Sequence, residues 1–553
     1  MATKDLGAVT AYAYAVAHGY TGTEEEFEAA MGQMVDLSEE FGGFTAEAET
    51  LLPGSQATAS YSNGVLTLGI PRGDKGDFVD KIYGVKWDRL TNLLTRTRDA
   101  VGITTTTTNF CHKGSINANY SNPFDAIYPW SDMIVCNVDL VKYRTGAALE
   151  DCIVAVYGDP DFTYKGTKDL FVGRYRPEFY YRSEEDTNGN VEFMISGAAH
   201  AGFKKSPAAV DGISFCVDAG KNASNQDVVT SSGGEVVLTN IAVSSIHSRA
   251  KNSGFTLQDI YTIDQQIMLY LVEYANMNIQ SALGDGCSSC YRENATDSIA
   301  SVSTDSTAGT TTITIDDSAL SGVIYKGSQI DIGASAGATT YRALVKDFSV
   351  SGTVYTIVLD RVLDSVTTGM IASVHGFGTC EFPLLGQSLG HASGYLGTNS
   401  KANVFYRGAL LFANRYSYTL GIYRKSGTNH LWLCPETLDP DDYDAVNTSV
   451  HTDTGVALPE LESGAWLTVG GNAQRIPGIM GFMATGTSSG SSSSPVGDQQ
   501  YVPTPSTGDT ILLFGGYAYF GWGDGVFFGA WDLVAGDSSW ARAGLPILKQ
   551  NVL

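Results

Sequence analysis

Residues 515–544 read GGYAYFGWGDGVFFGAWDLVAGDSSWARAG, and LPILKQNVL follows them. Aromatic and small residues are denser here than a buried strand requires, and no cluster of His, Cys or Glu accompanies them. Rigid aromatic rings between adaptable polar groups are typical of recognition surfaces. We therefore interpret this stretch as a binding surface rather than a catalytic centre. The alternative is a core β-hairpin, in which the glycines bring backbone and rings close together.

The composition narrows the class of protein. A chain of 553 residues has room for two to four domains, and 62 glycines with only 17 % charged residues favour a turn-rich, mostly β protein. The formal net charge is −25, so phosphate backbones and anionic lipids would repel most of the molecule. We expect no nucleic-acid partner. The sequence has no secretory leader pattern and no run of about 18 apolar residues, so we also expect no membrane insertion.

Metal and cofactor motifs are weak throughout the sequence. The eight histidines show no HExxH or HxH spacing, and we interpret most of the eight cysteines as buried thiols of a reducing cytoplasm. A zinc clip formed by Cys287, Cys290 and Cys380 lacks a fourth ligand at a suitable spacing. The acidic run 435–444 could bind calcium, but a solvated turn is the preferred interpretation. We predict no metal, no cofactor and no catalytic residue.

The N-terminal part of the chain predicts two short elements. Residues 1–36 read as a helical virion-attachment segment in two pieces, the second starting with a capping box formed by Thr23 and Glu26. Residues 37–80 read as a β and collagen-like stalk junction, with a hairpin turn at Asn63-Gly64 and the run GIPRGDKGD. That run is equally compatible with a flexible linker.

The remainder of the chain divides into three parts. Residues 81–295 combine short strands with one core helix. For this helix we predict a capping box of Thr262 and Gln265, with Glu273 on its solvated or capping side. Residues 296–379 alternate Thr, Val and Ile between Gly and Ser turns, which predicts an independent β module. Residues 380–553 return to strands and turns, with one low-complexity loop at 486–495.

Several stretches, in order, resemble tail-fibre and receptor-binding proteins of bacteriophages with a C-type-lectin fold of the formylglycine-generating-enzyme type. The resemblance covers about four fifths of the chain, omits the module 296–379, and is carried by residues 5–31, 59–77, 83–102, 123–133, 177–182, 202–212, 257–284 and 403–416. It implies an α+β, mostly β fold: a C-type-lectin-like domain with an inserted β module, preceded by the helical segment and the stalk.

The C-terminal stretch resembles the variable region of proteins diversified by retroelements, the group of the phage major tropism determinants. Replacement of adenines in Asn codons yields Tyr, Asp, Phe or Ser but never Trp, although no Asn remains between Gly515 and Gly544. The resemblance implies that the tryptophans are framework: Trp522, Trp531 and Trp540. It implies receptor contacts by Tyr517, Tyr519, Asp524, Phe527, Phe528, Asp532, Asp537, Ser538 and Ser539.

The resemblance also implies a function. We expect a non-enzymatic phage tail-tip protein of the virion, assembled in the host cytoplasm as a homotrimer. Its N-terminus would bind other tail or baseplate proteins. Its C-terminal surface would bind a host-cell receptor, which is a protein or a glycan. Alternatives are a glycan-cleaving tailspike and a variable lectin-fold protein displayed on a bacterial surface. An oxidase of the formylglycine-generating type would need a cysteine pair beyond Cys434, and the sequence has none.

Overall fold

The computed structural model contains 42 % strand and 14 % helix, so the protein is α+β and mostly β. Two compact units, Met1–Asp77 and Phe78–Leu553, make up the chain. The structure describes residues 12–13, 15–30, 45–51, 58–62, 65–71, 80–105, 122–283, 299–317, 324, 326–336, 339–377, 405–412, 415–441, 443, 445–470, 473–486, 498–516, 525–534, 536–539 and 541–550.

The first unit begins with helical residues at 12–13, 15–17 and 24–30. The predicted capping box is confirmed: Thr23 N donates to Glu26 Oε2 at 2.7 Å, and Glu26 N donates to Thr23 Oγ1 at 3.2 Å. These two bonds satisfy amide groups that a helix start leaves without a partner. The rings of Tyr12, Tyr20 and Phe27 pack together, with centroids 5.5–6.2 Å apart.

A three-stranded sheet completes what the structure describes of this unit. Its strands are β1 (Thr45–Leu51), β2 (Thr58–Ser62) and β3 (Val65–Pro71). β2 and β3 are antiparallel with Ser62 opposite Val65, which confirms the hairpin at Asn63-Gly64, and β1 pairs with β3 in parallel. The start of the collagen-like run, residues 69–71, belongs to β3, and residues 72–77 lie outside the described part of the chain.

The second unit starts with an α+β segment. Its helices are α1 (Leu140–Arg144), α2 (Val243–Ser253), α3 (Ile260–Tyr274) and α4 (Ile279–Leu283). Its strands are β4 (Ile82–Asp88), β5 (Leu93–Arg98), β6 (Ile134–Asp139), β7 (Ile153–Val156), β8 (Leu170–Arg176), β9 (Phe179–Glu185), β10 (Val191–Ser196), β11 (Lys204–Ser206), β12 (Ala209–Gly212), β13 (Val217–Lys221), β14 (Asp227–Thr230) and β15 (Thr256–Leu257).

The remaining strands fall into two groups. The first group, in residues 299–377, is β16 (Ile299–Ser301), β17 (Thr310–Asp316), β18 (Ser328–Gly333), β19 (Tyr341–Ser351), β20 (Val354–Leu363) and β21 (Ile371–Phe377). The second group is β22 (Phe405–Tyr406), β23 (Ala409–Leu410), β24 (Tyr416–Arg424), β25 (His430–Leu433), β26 (Thr452–Ala457), β27 (Ala465–Thr468), β28 (Gln474–Arg475), β29 (Met483–Ala484), β30 (Gln499–Val502), β31 (Thr510–Phe514), β32 (Gly529–Leu533), β33 (Arg542–Ala543) and β34 (Pro546–Lys549).

Three larger sheets form the body of this unit. One has the order β11-β9-β10-β4-β5, and a second has the order β15-β34-β12-β8-β6-β7. The third has the order β26-β25-β24-β31-β32-β30-β27, with β33 paired to β24. Because β34 lies between β12 and β15, the C-terminal strand shares a sheet with residues that precede the 299–377 group. The two chain segments on either side of that group therefore build the same two hydrophobic cores.

Helix α3 lies in one of these two cores and packs against β4, β10 and β24. Every one of its side chains is buried. The helix begins one turn earlier than the capping box predicted at Thr262 and Gln265, because Asp259 is the N-cap and its carboxylate accepts from Thr262 N at 2.9 Å. The predicted solvated position of Glu273 is wrong: the side chain is fully buried and bound by Arg407.

Strands β16–β21 form a closed six-stranded barrel with a core of its own. The sheet order is β16-β21-β18-β19-β20-β17. The barrel closes between β16 and β17, where Ser303 N, just after β16, donates to Thr314 O at 2.9 Å. Alternating inward side chains such as Ile313 and Ile357 fill the interior. The side-chain amide of Gln329 pairs with both backbone groups of Val237 in the body, at 3.0 and 3.4 Å.

The sequence predicts that most cysteines are buried thiols, and the four described cysteines are buried. They lie at positions 136, 152, 216 and 434, and burial raises the pKa of the Cys136 thiol to about 12. Cys111, Cys287, Cys290 and Cys380 lie outside the described residues, and the conceivable zinc clip lies there with them. Among the described residues, no helix has the length and apolar character to span a membrane.

Candidate receptor-binding region

The C-terminal stretch forms a hairpin whose first strand is β31. Phe514 on β31 pairs with Gly529 on β32, so residues 515–528 are the connection between the two strands. Gly515 and Gly516 start this connection with φ values of 101° and 134°, which L side chains rarely adopt. A Cβ at Gly515 would lie only 3.1 Å from Leu411 O. Two glycines therefore determine the direction in which the chain leaves the core.

The other end of the connection is fastened by a buried carboxyl group. Asp498 is 3 % exposed and its Oδ2 accepts from Phe527 N at 2.8 Å. Burial raises the pKa of Asp498 to about 7, and the hydrogen bonds from backbone amides oppose this shift. A Cβ at Gly525 would lie 1.8 Å from Asp498 Oδ1, so no larger residue fits there.

Trp531, which the sequence predicts to be a framework residue, lies on β32. The indole is fully buried, and Nε1 donates to Gln500 Oε1 at 3.3 Å. Gln500 in turn donates from Nε2 to Met483 O and to Phe527 O, both at 2.8 Å. Trp531 and the end of the connection are thus held by one amide side chain.

The structure contradicts receptor contact by Phe527 and Phe528, because both rings are fully buried. Phe527 packs against Trp87 in one core, with ring centroids 6.1 Å apart. Phe528 points into the other core and stacks between Tyr416 and Trp466, at 5.8 and 5.4 Å. Successive residues point to opposite sides of the hairpin, and each side is covered by a core.

Four of the predicted polar contacts are on described residues. Asp532 on β32 and Asp537 are partly exposed, Ser538 is exposed, and Ser539 is partly exposed. The turn Asp537–Ser539 is tied down: Asp537 Oδ2 accepts from Val534 N at 3.3 Å and lies 3.8 Å from Arg542 Nη1, while Ser539 O accepts from Asn240 N at 3.0 Å. The structure thus brings Asp537, Ser538 and Ser539 together on a fixed turn, one strand away from the connection.

The remaining predicted site residues are outside the described part of the chain. Tyr517, Tyr519 and Asp524, with Trp522 of the framework group, belong to segment 517–524, and Trp540 is also not described. Sequence reasoning missed Asp498 and Gln500, the side chains that fasten the connection. Neither has a local motif, since each acts on residues 27 or more positions later.

Comparison with known proteins gives no relative from which a role could be transferred: no protein-family model matches the chain, and no curated protein matches it.

Proposed function

We propose that this protein is a bacteriophage tail-tip receptor-binding protein that contacts its receptor through residues 517–524 of the connection and through the turn Asp537–Ser539. The observation that carries the proposal is that the residues flanking segment 517–524 are held in a packed core, Gly515 and Gly516 on one side and Phe527 on the other. By sequence, the segment contains two Tyr, one Phe and one Trp. A binding segment on a rigid base loses less conformational freedom on binding than a free one. Such placement on a scaffold is typical of recognition loops.

The polar groups at residues 537–539 favour a particular receptor chemistry. Asp537 and Ser538 would supply a carboxylate and a hydroxyl group to the proposed surface, which suits a polar or basic receptor patch. The net charge of −25 acts in the same direction, because it repels anionic surfaces at long range. The proposal includes both protein and glycan receptors.

The scaffold in this proposal is a C-type-lectin-like domain that the barrel interrupts. Support comes from the order of the resembling stretches and from β34, which joins the sheet of β12 and β15. The first unit would attach to the virion, and assembly as a trimer would multiply the affinity of each head by effective concentration. Diversification by a retroelement belongs to the same proposal.

Binding of the labelled full-length protein to bacteria tests this function. The protein is incubated with isolates from the source of its encoding DNA, and bound fluorescence is measured by flow cytometry. We expect saturable binding to a subset of strains and at least tenfold weaker binding after Tyr517→Ala with Tyr519→Ala, because aromatic anchors dominate recognition energy. Tyr61→Ala is the matched control, since Tyr61 is 57 % exposed in the other unit.

Two results would overturn the proposal. Equal binding of the double variant and the parent would exclude this surface, and release of oligosaccharide from host capsule by the unmodified protein would replace attachment with glycan cleavage. Retroelement diversification is tested separately in the flanking DNA. A reverse transcriptase gene with a near-copy of the last coding segment, differing mainly at adenines, is expected, and a copy without adenine bias would exclude diversification alone.

A further inference from the structure

A second cluster of polar groups lies at helix α2 and is not part of the proposed receptor surface. Helix α2 contributes His247 and Lys251, one turn apart, and the acidic run after β25 contributes Asp439, Asp441 and Tyr443. His247 is fully buried, whereas the side chains of Asp439 and Asp441 are 22 % and 65 % exposed. One ligand atom from each of His247, Asp439 and Asp441 lies within 4.8 Å of the others.

Hydrogen bonds determine the tautomer of His247. Its Nε2 lies 2.9 Å from Thr256 Oγ1 and 3.1 Å from Asp439 Oδ1. The Thr256 hydroxyl donates its one hydrogen to Asp439 Oδ1 at 2.6 Å, and a carboxylate can only accept. Nε2 therefore carries the proton and donates it, which leaves the lone pair on Nδ1. A carboxylate on the far nitrogen is the usual partner of a metal-binding imidazole, because it orients the ring and increases its basicity.

The Nδ1 side of the ring faces two oxygen groups. Tyr443 Oη is in hydrogen-bond contact with Nδ1, and Asp441 Oδ1 lies 4.0 Å from it. Metal bonds of about 2.1 Å to nitrogen and oxygen at a tetrahedral angle separate the two ligand atoms by roughly 3.4 Å. Because Asp441 is largely exposed, a rotamer adjustment of its side chain can shorten the distance between Asp441 Oδ1 and His247 Nδ1 from 4.0 Å to this value.

The cluster already holds a positive charge. Lys251 Nζ lies 2.7 Å from Asp441 Oδ1 and 3.6 Å from Asp439 Oδ2. Its side chain is 43 % exposed, so the ammonium group can move into solvent when another cation takes its place. A cavity of about 170 Å³, lined by Thr256, Asp439 and Lys251 among others, lies beside the Asp439 carboxylate.

We propose that His247 Nδ1, Asp441 and Tyr443 bind a divalent transition-metal ion, with Asp439 as the positioning residue of His247 and Lys251 as the competing cation. Imidazole with carboxylate and phenolate oxygen suits Zn²⁺ or Co²⁺ better than a soft ion such as Cu⁺. The tyrosine releases its proton to solvent when its oxygen coordinates. The site would connect helix α2 to the acidic run 435–444, which the sequence alone indicates to be a solvated turn.

Titration of the full-length protein with ZnCl₂, followed by calorimetry, tests this site, and the d–d absorption of Co²⁺ reports the ligand geometry. We expect a saturable component that becomes at least tenfold weaker in Asp441→Asn and in Tyr443→Phe. Lys251→Met should strengthen the same component, because its competing charge is removed. Far-UV circular dichroism verifies that each variant is folded, and both substituted side chains, Asp441 and Tyr443, are at least partly exposed.

His430 and Asp453 supply a matched control. His430 Nδ1 lies 3.0 Å from Asp453 Oδ2 on the surface, and among the described residues no third ligand group joins this pair. Asp453→Asn should leave the zinc isotherm unchanged. The proposal is overturned if the parent shows no saturable binding, if Asp441→Asn and Tyr443→Phe retain the parent affinity, or if Lys251→Met weakens the binding.

Discussion

Arg407 and Glu273 form a two-pronged ion pair in the core: Arg407 Nε and Nη2 donate to the two carboxylate oxygens of Glu273 at 2.8 Å each. Both side chains are 0 % exposed. The Tyr406 hydroxyl and the Asn122 amide donate to the same carboxylate at 2.8 and 2.6 Å. A residue of the central helix is thereby bound to the short β22-β23 hairpin, more than a hundred positions away in the sequence.

Removal of one partner of this pair should strongly destabilise the body. Arg407→Met leaves the Glu273 charge buried without its counter-ion, and we expect a loss of about 3–5 kcal/mol in the free energy of unfolding. The measurement is urea denaturation followed by tryptophan fluorescence, because no Trp lies in residues 296–379 and the signal therefore omits the barrel.

Arg98 and Glu192 provide the control for this prediction. Their nitrogen–oxygen distance is 3.0 Å, but the Arg98 side chain is 47 % exposed. Arg98→Met should cost at most about 1 kcal/mol, because water screens an exposed pair. Equal losses in the two variants would show that the Arg407 pair is not buried as described.

Substitutions of Phe528 and Ser538 should differ strongly in their effect on stability, although both residues belong to the C-terminal stretch. Phe528→Ala removes a ring stacked between Tyr416 and Trp466, and we expect a destabilisation of about 3–5 kcal/mol. Ser538→Ala changes an exposed turn residue and should stay within about 0.5 kcal/mol of the parent. Both changes in stability are measured as shifts of the urea midpoint. A midpoint for Phe528→Ala equal to that of the parent would contradict the burial of this ring.

Local signals in the sequence predicted local structure well. The capping box of Thr23 and Glu26 and the hairpin at Asn63-Gly64 depend only on residues within a few positions of each other. Alternation of Thr, Val and Ile likewise indicated the strands that now form the barrel. Each of these features needs no information about distant parts of the chain.

The errors concern burial, which depends on distant partners. The helical pattern places Glu273 in solvent because it shows which positions are polar, but it does not show that Arg407, 134 positions later, supplies a counter-ion. The aromatic neighbours of Phe528 predict a recognition surface, yet Tyr416 and Trp466 cover its ring. The sequence around Asp498 does not indicate its structural role, because the backbone amide that it binds belongs to Phe527, 29 positions later.

Asp498 should make the stability of the body depend on pH. Its folded-state pKa of about 7 exceeds the ordinary value of 3.8, so between these pH values the folded state holds a proton that the unfolded chain releases. On this account the free energy of unfolding falls by about 1.4 kcal/mol per pH unit as the pH rises from 4 towards 7, and changes no further above it. Asp264, whose pKa burial raises to about 6, acts in the same direction.

Asp498→Asn removes this one titration. We expect the variant to gain stability relative to the parent as the pH increases from 5 to 8, measured as the difference between their unfolding free energies from urea titrations. Asp537→Asn serves as the control, since Asp537 is a partly exposed carboxylate of the same C-terminal region. Parallel pH profiles for Asp498→Asn and the parent would rule out a raised pKa at this position.

The barrel should be removable without unfolding the body. Ile299 on its first strand pairs with Ser373 on its last strand, so the chain enters and leaves the barrel on neighbouring strands about 5 Å apart. Replacement of residues 296–379 by a short Gly-Ser linker should leave the tryptophan emission unchanged and cost about 1–3 kcal/mol, from the two Gln329–Val237 hydrogen bonds. Gln329→Ala in the full chain measures that contribution alone. The separate fragment 296–379 should be folded and should unfold cooperatively when followed by circular dichroism, because its core is self-contained. The prediction is wrong if the fragment or the remaining body is unfolded, since barrel and body would then fold only together.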